Sequence, residues 1–208
     1  MSVTRTIAGI AVCALLAAGS TACSGDQDGD DQGAADPSPS LDGSPDGGEP
    51  DRVSVEAEFA PYSPDAEAVT YDDQAVPEGA SVEASATRNG AETEFVLAVN
   101  GLEPDREFGA HLHTEPCGEN PDDSGPHYQD EPAAEDAAND PEYANDDNEV
   151  WLDFTTDAEG TATADTDVDW QVRPGEGNSI VIHEHHTMTE EGHAGEAGDR
   201  LACVNFPM

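Results

Sequence analysis

Apolar and polar side chains alternate one for one through much of the chain after residue 51. Arg52-Val53-Ser54-Val55-Glu56-Ala57-Glu58-Phe59 repeats with a period of two, the signature of a strand buried on one face. Ala80 to Thr87 alternates again, Arg88-Asn89-Gly90-Ala91 reads as a tight turn, and Thr93 to Val99 returns; Asn-Gly between two such runs is a hairpin signal. Shorter runs at Ala68–Tyr71, Glu107–His113, Val150–Phe154, Thr161–Ala164, Asn178–His183 and Leu201–Phe206 complete the set, with Val168–Val172 open to either reading. No stretch has a convincing helical period. Many short strands with Gly, Asn and Asp turns predict an all-β sandwich or barrel. Two polar stretches interrupt it, Thr114–Glu149 and Glu184–Asp199. The first holds 13 acids and neither Lys nor Arg. Loops of that length inside a compact domain are usually functional or disordered.

The chemistry-bearing residues gather at those interruptions. His111 and His113 end one strand, and residues two apart on a strand share a face. His127 follows beyond Cys117, and His183 ends the run Ser179-Ile180-Val181-Ile182-His183. Four neutral imidazoles suit copper or zinc rather than magnesium or calcium. His185, His186 and His193 add a histidine-rich loop, which reads as transient copper capture or as exposed polar side chains.

Composition narrows the setting. The formal net charge is −41, with no lysine and six arginines. Nucleic-acid binding through phosphates needs a basic surface and is excluded. Acids spread along the whole chain suit a salty environment, where ions screen repulsion. Residues 1–22 read as a signal peptide: Arg5, an apolar run from Ile7 to Ala18, then small residues. Cys23 follows directly and resembles the lipid-acceptor cysteine of bacterial lipoproteins, with Ser20 where leucine is usual. Residues 23–51 are rich in Gly, Asp, Ser and Pro with nine acids, and read as a disordered tether to a domain at 52–208. Lipid anchoring at the outer face of the cell membrane, or secretion, follows from this leader. Cys13 falls in the leader, which leaves Cys117 and Cys203 as an even pair in an exported chain. A disulfide is then the default, contributing roughly 4 kcal/mol by the chain-entropy relation.

His-Leu-His at 111–113, Cys117, Ser124-Gly125-Pro126-His127, Val181-Ile182-His183-Glu184 and Gly198-Asp199-Arg200-Leu201-Ala202-Cys203 occur in that order. The series resembles the copper/zinc superoxide dismutase family from about Ala80 to Phe206. The resemblance implies a Greek-key β-barrel of eight strands with two long active-site loops. It implies copper on His111, His113, His127 and His183, a disulfide between Cys117 and Cys203, and Arg200 guiding the superoxide anion. His127 would also act as a nearby acid. The family's zinc site is incomplete: no histidine lies between His127 and His183, Tyr143 stands near one expected ligand, and Asp146 remains alone. One carboxylate does not hold a structural zinc. Thr187 occupies the approximate place of the aspartate that links the two metal sites. The pattern is similar to the copper-only branch, so copper is the expected cofactor and zinc is not. A carboxylate, Asp146 or Glu149, is expected to fix the tautomer of His127. Trp151 and Trp170 read as core aromatics. A copper-buffering protein without catalysis is the alternative function on the same fold.

Overall fold

The computed structural model describes residues 51–134 and 137–208. The leader, Cys23 and all of the tether except Asp51 lie outside the described residues.

Among the described residues nine strand segments form one sheet: β1 (Asp51–Ala60), β2 (Ala68–Thr70), β3 (Ser81–Asn89), β4 (Glu92–Asn100), β5 (Glu107–His113), β6 (Phe154–Thr155), β7 (Ala162–Val168), β8 (Ser179–His183) and β9 (Arg200–Asn205). Their order across the sheet is β6-β5-β8-β9-β2-β1-β3-β4-β7. The two end strands, β6 and β7, come together and nearly close a barrel. Every pairing is antiparallel except β1 with β2. The chain crosses from one end of this order to the other between β4 and β5 and again between β7 and β8, which gives the Greek-key winding.

The period of two decides what faces inward. Along β3, Val82, Ala84 and Ala86 are buried, and along β4, Phe95, Leu97 and Val99 are. Phe59, Phe95, Phe108 and Phe206 are fully buried, each contributing about 2 kcal/mol through area removed from water. Strands β5 and β8 differ: they are buried on both faces. Phe108, Ala110 and Leu112 enter the core with Ile180 and Ile182. Gly109, His111 and His113 face the other way, under the two long loops. That double burial sets the site on the outside of the barrel wall, roofed by polar chain.

The expected strand Val150–Phe154 is mostly an extended segment joined by single bridges, His111 with Trp151 and Gln129 with Glu149. Leu152 N–H donates to Ala110 O at 2.8 Å, so the segment tracks the edge of β5. Val150 and Leu152 point inward and are buried, which sends Glu149, Trp151 and Asp153 outward beside the histidines. The return strand, expected at Thr161–Ala164, runs on to Val168 because it pairs with β4 over its whole length.

Candidate metal centre

Strand register brings three imidazoles together. β5 pairs with β8 so that His183 lies opposite Gly109, with His111 opposite Val181. Gly109, His111, His113 and His183 therefore share a face. His127 joins through an isolated bridge to His113. The rings of His111 and His127 have centroids 4.1 Å apart, and those of His113 and His183 5.4 Å apart. One nitrogen from each of the four lies within 4.8 Å of the other three.

The second nitrogen of each ring is spoken for. His113 Nδ1 donates to Gly125 O at 2.9 Å, and His183 Nδ1 to Gly198 O at 3.4 Å. Both carbonyls sit on glycines with positive φ, 72° and 81°, where an L side chain is strained. A Cβ at Gly125 would also come within 2.6 Å of Thr114 Oγ1, and one at Gly198 within 2.8 Å of Glu184 Oε2. His127 Nδ1 meets Glu149 Oε2 at 2.8 Å, and His111 Nε2 meets Thr187 Oγ1 at 2.7 Å. The free nitrogens are then His111 Nδ1, His113 Nε2, His127 Nε2 and His183 Nε2. Two of them, on His113 and His183, approach to 3.3 Å.

The residues fit a metal ion, and one atom makes the point. His111 is fully buried, and its Nδ1 is the one buried side-chain nitrogen or oxygen among the described residues without a hydrogen-bond partner. Buried polar atoms are paired with few exceptions, and an exception asks for an unseen partner. Burial holds His111 and His113 well below the usual histidine range, with the neighbouring imidazoles adding to it. Burial first, then His127, lowers His183 to about 3. Neutral rings with exposed lone pairs are metal ligands.

Glu149 is the carboxylate that fixes His127. It is 2% exposed, with Oε2 also receiving Trp151 Nε1–H at 2.8 Å and Oε1 receiving Gln129 Nε2–H at 2.8 Å. Asp146, the other candidate, is exposed. Trp151 is not a core aromatic: it is only partly buried, it donates to Glu149, and its ring stands T-shaped to His111 with centroids 6.2 Å apart. Trp170 is likewise only partly buried: it packs against the core and Tyr128 from the outside and donates to Asp147 O at 2.8 Å. Asp153 was not foreseen. Its Oδ1 receives the Thr187 hydroxyl and its Oδ2 the Thr187 N–H, both at 2.7 Å. No local signal marks it; only the pairing of residues 34 apart does.

A cavity of about 710 Å³ opens over the centre, lined by His127, His183, Arg200, Glu149, Ala197 and Gly195 among others. Arg200 reaches it half-buried, held by Ser124 Oγ at 2.8 Å and Pro121 O at 3.1 Å. Burial lowers its pKa, opposed by Asp122 and Tyr71. Ser124 and Pro121 belong to a one-turn 3-10 helix, Pro121–Ser124. The stretch leading to that turn is fastened by the Cys117–Cys203 disulfide, whose Cα atoms are 5.7 Å apart. The extra histidines do not join the centre. His185 Nδ1 donates to His186 O at 2.9 Å, His186 Nε2 to Phe154 O at 3.0 Å, and exposed His193 pairs with Glu196 at 2.9 Å.

Residues 79–206 match the copper/zinc superoxide dismutase (SODC) family. Similar solved structures include a double mutant of a SOD-like protein from Bacillus subtilis, at 18% identity over 62% of this chain and 90% of that one, TM-score 0.45. Another is the Cu/Zn superoxide dismutase from Brucella abortus, at 16% identity over 73% of this chain and 98% of that one, TM-score 0.47. No curated protein matches the chain.

Proposed function

The chain belongs to the copper/zinc superoxide dismutase family, and from that premise we propose that it disproportionates superoxide to oxygen and hydrogen peroxide with copper alone. The observation that carries the reading is the orphaned Nδ1 of His111 among three other imidazole nitrogens. His111, His113, His127 and His183 would hold the ion. Copper, when bound, supplies one-electron exchange between two oxidation states, which zinc does not offer.

The protein's own groups do the rest. Arg200 presents a fixed positive charge in the cavity that also exposes His127 and His183. That charge is local. The chain as a whole carries −41, so the average field repels an anion and attraction must act within about 10 Å of the mouth at 0.1 M salt. His127 is the least buried of the four, 19% exposed at its side chain. Its Nδ1 is tied to Glu149, so Nε2 is the one nitrogen left to it: that atom would hold the ion or, once released from it, take up the proton that a departing peroxide needs. His113 and His183 are held by backbone carbonyls and serve as fixed ligands.

The copper-only reading draws support from Tyr143 and exposed Asp146 near the positions where the family's zinc ligands are expected. The chain is read as exported and, through Cys23, lipid-anchored at the cell exterior, with superoxide as its partner and no nucleic acid. The test is a superoxide assay on protein reconstituted with copper alone, paired with metal analysis. Turnover at one copper and no zinc per chain is the expected result. Copper binding without turnover would leave the copper-buffering function instead, and one firmly held zinc per chain would overturn the zinc-free reading.

A further inference from the structure

His111 is oriented by a side-chain relay that begins at Asp153. Glu149, Trp151 and Asp153 alternate along one extended segment and so point the same way, toward the histidines. Glu149 serves His127. Asp153 reaches His111 through Thr187: Asp153 Oδ1 to Thr187 Oγ1 at 2.7 Å, and Thr187 Oγ1 to His111 Nε2 at 2.7 Å.

The direction of the protons in this relay is determined. A carboxylate at neutral pH only accepts. The single hydroxyl proton of Thr187 therefore goes to Asp153, and Oγ1 has only lone pairs left for His111. His111 Nε2 must then carry the ring proton, which leaves Nδ1 as a lone pair facing the other three imidazoles. The opposite tautomer would bury an Nδ1–H with no acceptor and offer the metal nothing. Asp153 Oδ2 also receives the backbone N–H of Thr187 at 2.7 Å, so the threonine is gripped at two points and its hydroxyl does not swing.

We propose that Asp153 and Thr187 are the positioning residues of the first metal ligand: together they set the His111 tautomer and dock the 184–199 loop over it. The inference rests on the reading that the four imidazoles hold copper. Thr187 stands where the resemblance predicts a linking aspartate, and Asp153 returns the missing negative charge from a different part of the chain. The same grip ties down the loop whose Gly195, Ala197 and Gly198 wall the cavity.

The test uses the full chain and two readouts. Ring nitrogen NMR of the metal-free protein reports the His111 tautomer and needs no variant; Nε2–H is expected, and Nδ1–H would overturn the proposal. Copper affinity, by competition with a coloured chelator, is then compared for Asp153→Asn, Thr187→Val and Thr187→Ser. In Asp153→Asn the amide N–H₂ can donate to Thr187 Oγ1, which frees the hydroxyl to donate to His111 and favours the wrong tautomer. Affinity should fall about 10–100-fold there and in Thr187→Val, as outer-shell losses do, while Thr187→Ser stays close to the unsubstituted protein. Thr187→Val with full affinity, or Thr187→Ser failing as badly as Thr187→Val, would sink the proposal. An unsubstituted protein that binds no copper would instead sink the copper reading, with the tautomer result still deciding this one.

Discussion

Glu149 Oε2 lies 2.8 Å from His127 Nδ1, and the carboxylate is 2% exposed. It receives three donors, from His127, Trp151 and Gln129, which is what allows a carboxylate to remain buried. Glu149→Gln turns an N–H₂ group against at least one of them. Metal affinity should fall about 10–100-fold. Copper retained after dialysis checks this, with circular dichroism confirming the fold; full retention would show that the pair does not orient His127.

Arg200 has a fixed charge and a forked donor geometry that lysine lacks. Arg200→Lys should reduce superoxide turnover about tenfold or less, and Arg200→Gln by more than tenfold, since a donor aimed at reacting charge is worth on that order or above. Copper content should not change in either. Parallel loss of copper and turnover would assign Arg200 to holding the site together rather than to the anion.

Salt should not slow the proposed superoxide turnover as it slows that of an enzyme that gathers anions by long-range attraction. The net charge of −41 opposes superoxide, and added ions screen that repulsion. Rates measured from low to molar salt should stay level or rise. A steep fall would mean that the field at the mouth is attractive after all.

Acid should destabilise the metal-free protein through its buried histidines. His183 is lowered to about 3, and burial takes His111 and His113 well below the ordinary value of about 6.5. Between those values the unfolded chain binds more protons than the folded one, so stability is full above pH 6.5 and is lost as pH falls toward 3. The melting temperature of the metal-free protein should be lower at pH 5 than at pH 7. Replacing His183 with a neutral residue of similar size should flatten that slope.

The Cys117–Cys203 bond closes a separation of 86 residues. Replacing both cysteines should cost roughly 4 kcal/mol by the chain-entropy relation. It should also lower turnover, because the segment leading to Pro121 and Ser124, which hold Arg200, loses its tie to β9. Chemical unfolding and activity on the same variant check both effects.

Much of the framework was legible from local pattern. The alternation through Arg52–Phe59, Ala80–Thr87 and Thr93–Val99 becomes β1, β3 and β4, because a strand's side chains alternate whatever lies beyond them. Half of the candidate cluster was legible by spacing alone, because His111 and His113, two apart on a strand, share a face; His127 and His183 join them only through strand pairing. Trp151 was misjudged for the complementary reason: a large ring in an alternating run looks like core, and only its register against β5 turns it outward toward Glu149.

By itself the chain determined a β-rich fold, its cysteine pair, four candidate imidazoles and a strongly acidic net charge. These follow from composition and from periods of a few residues. Tertiary structure decided which carboxylate serves which histidine, which ring nitrogens already have a partner, and that the centre lies outside the barrel beneath two loops. Those choices depend on contacts between residues far apart in sequence, such as Asp153 with Thr187, whose energies exist only once β5, β8 and the loops have met.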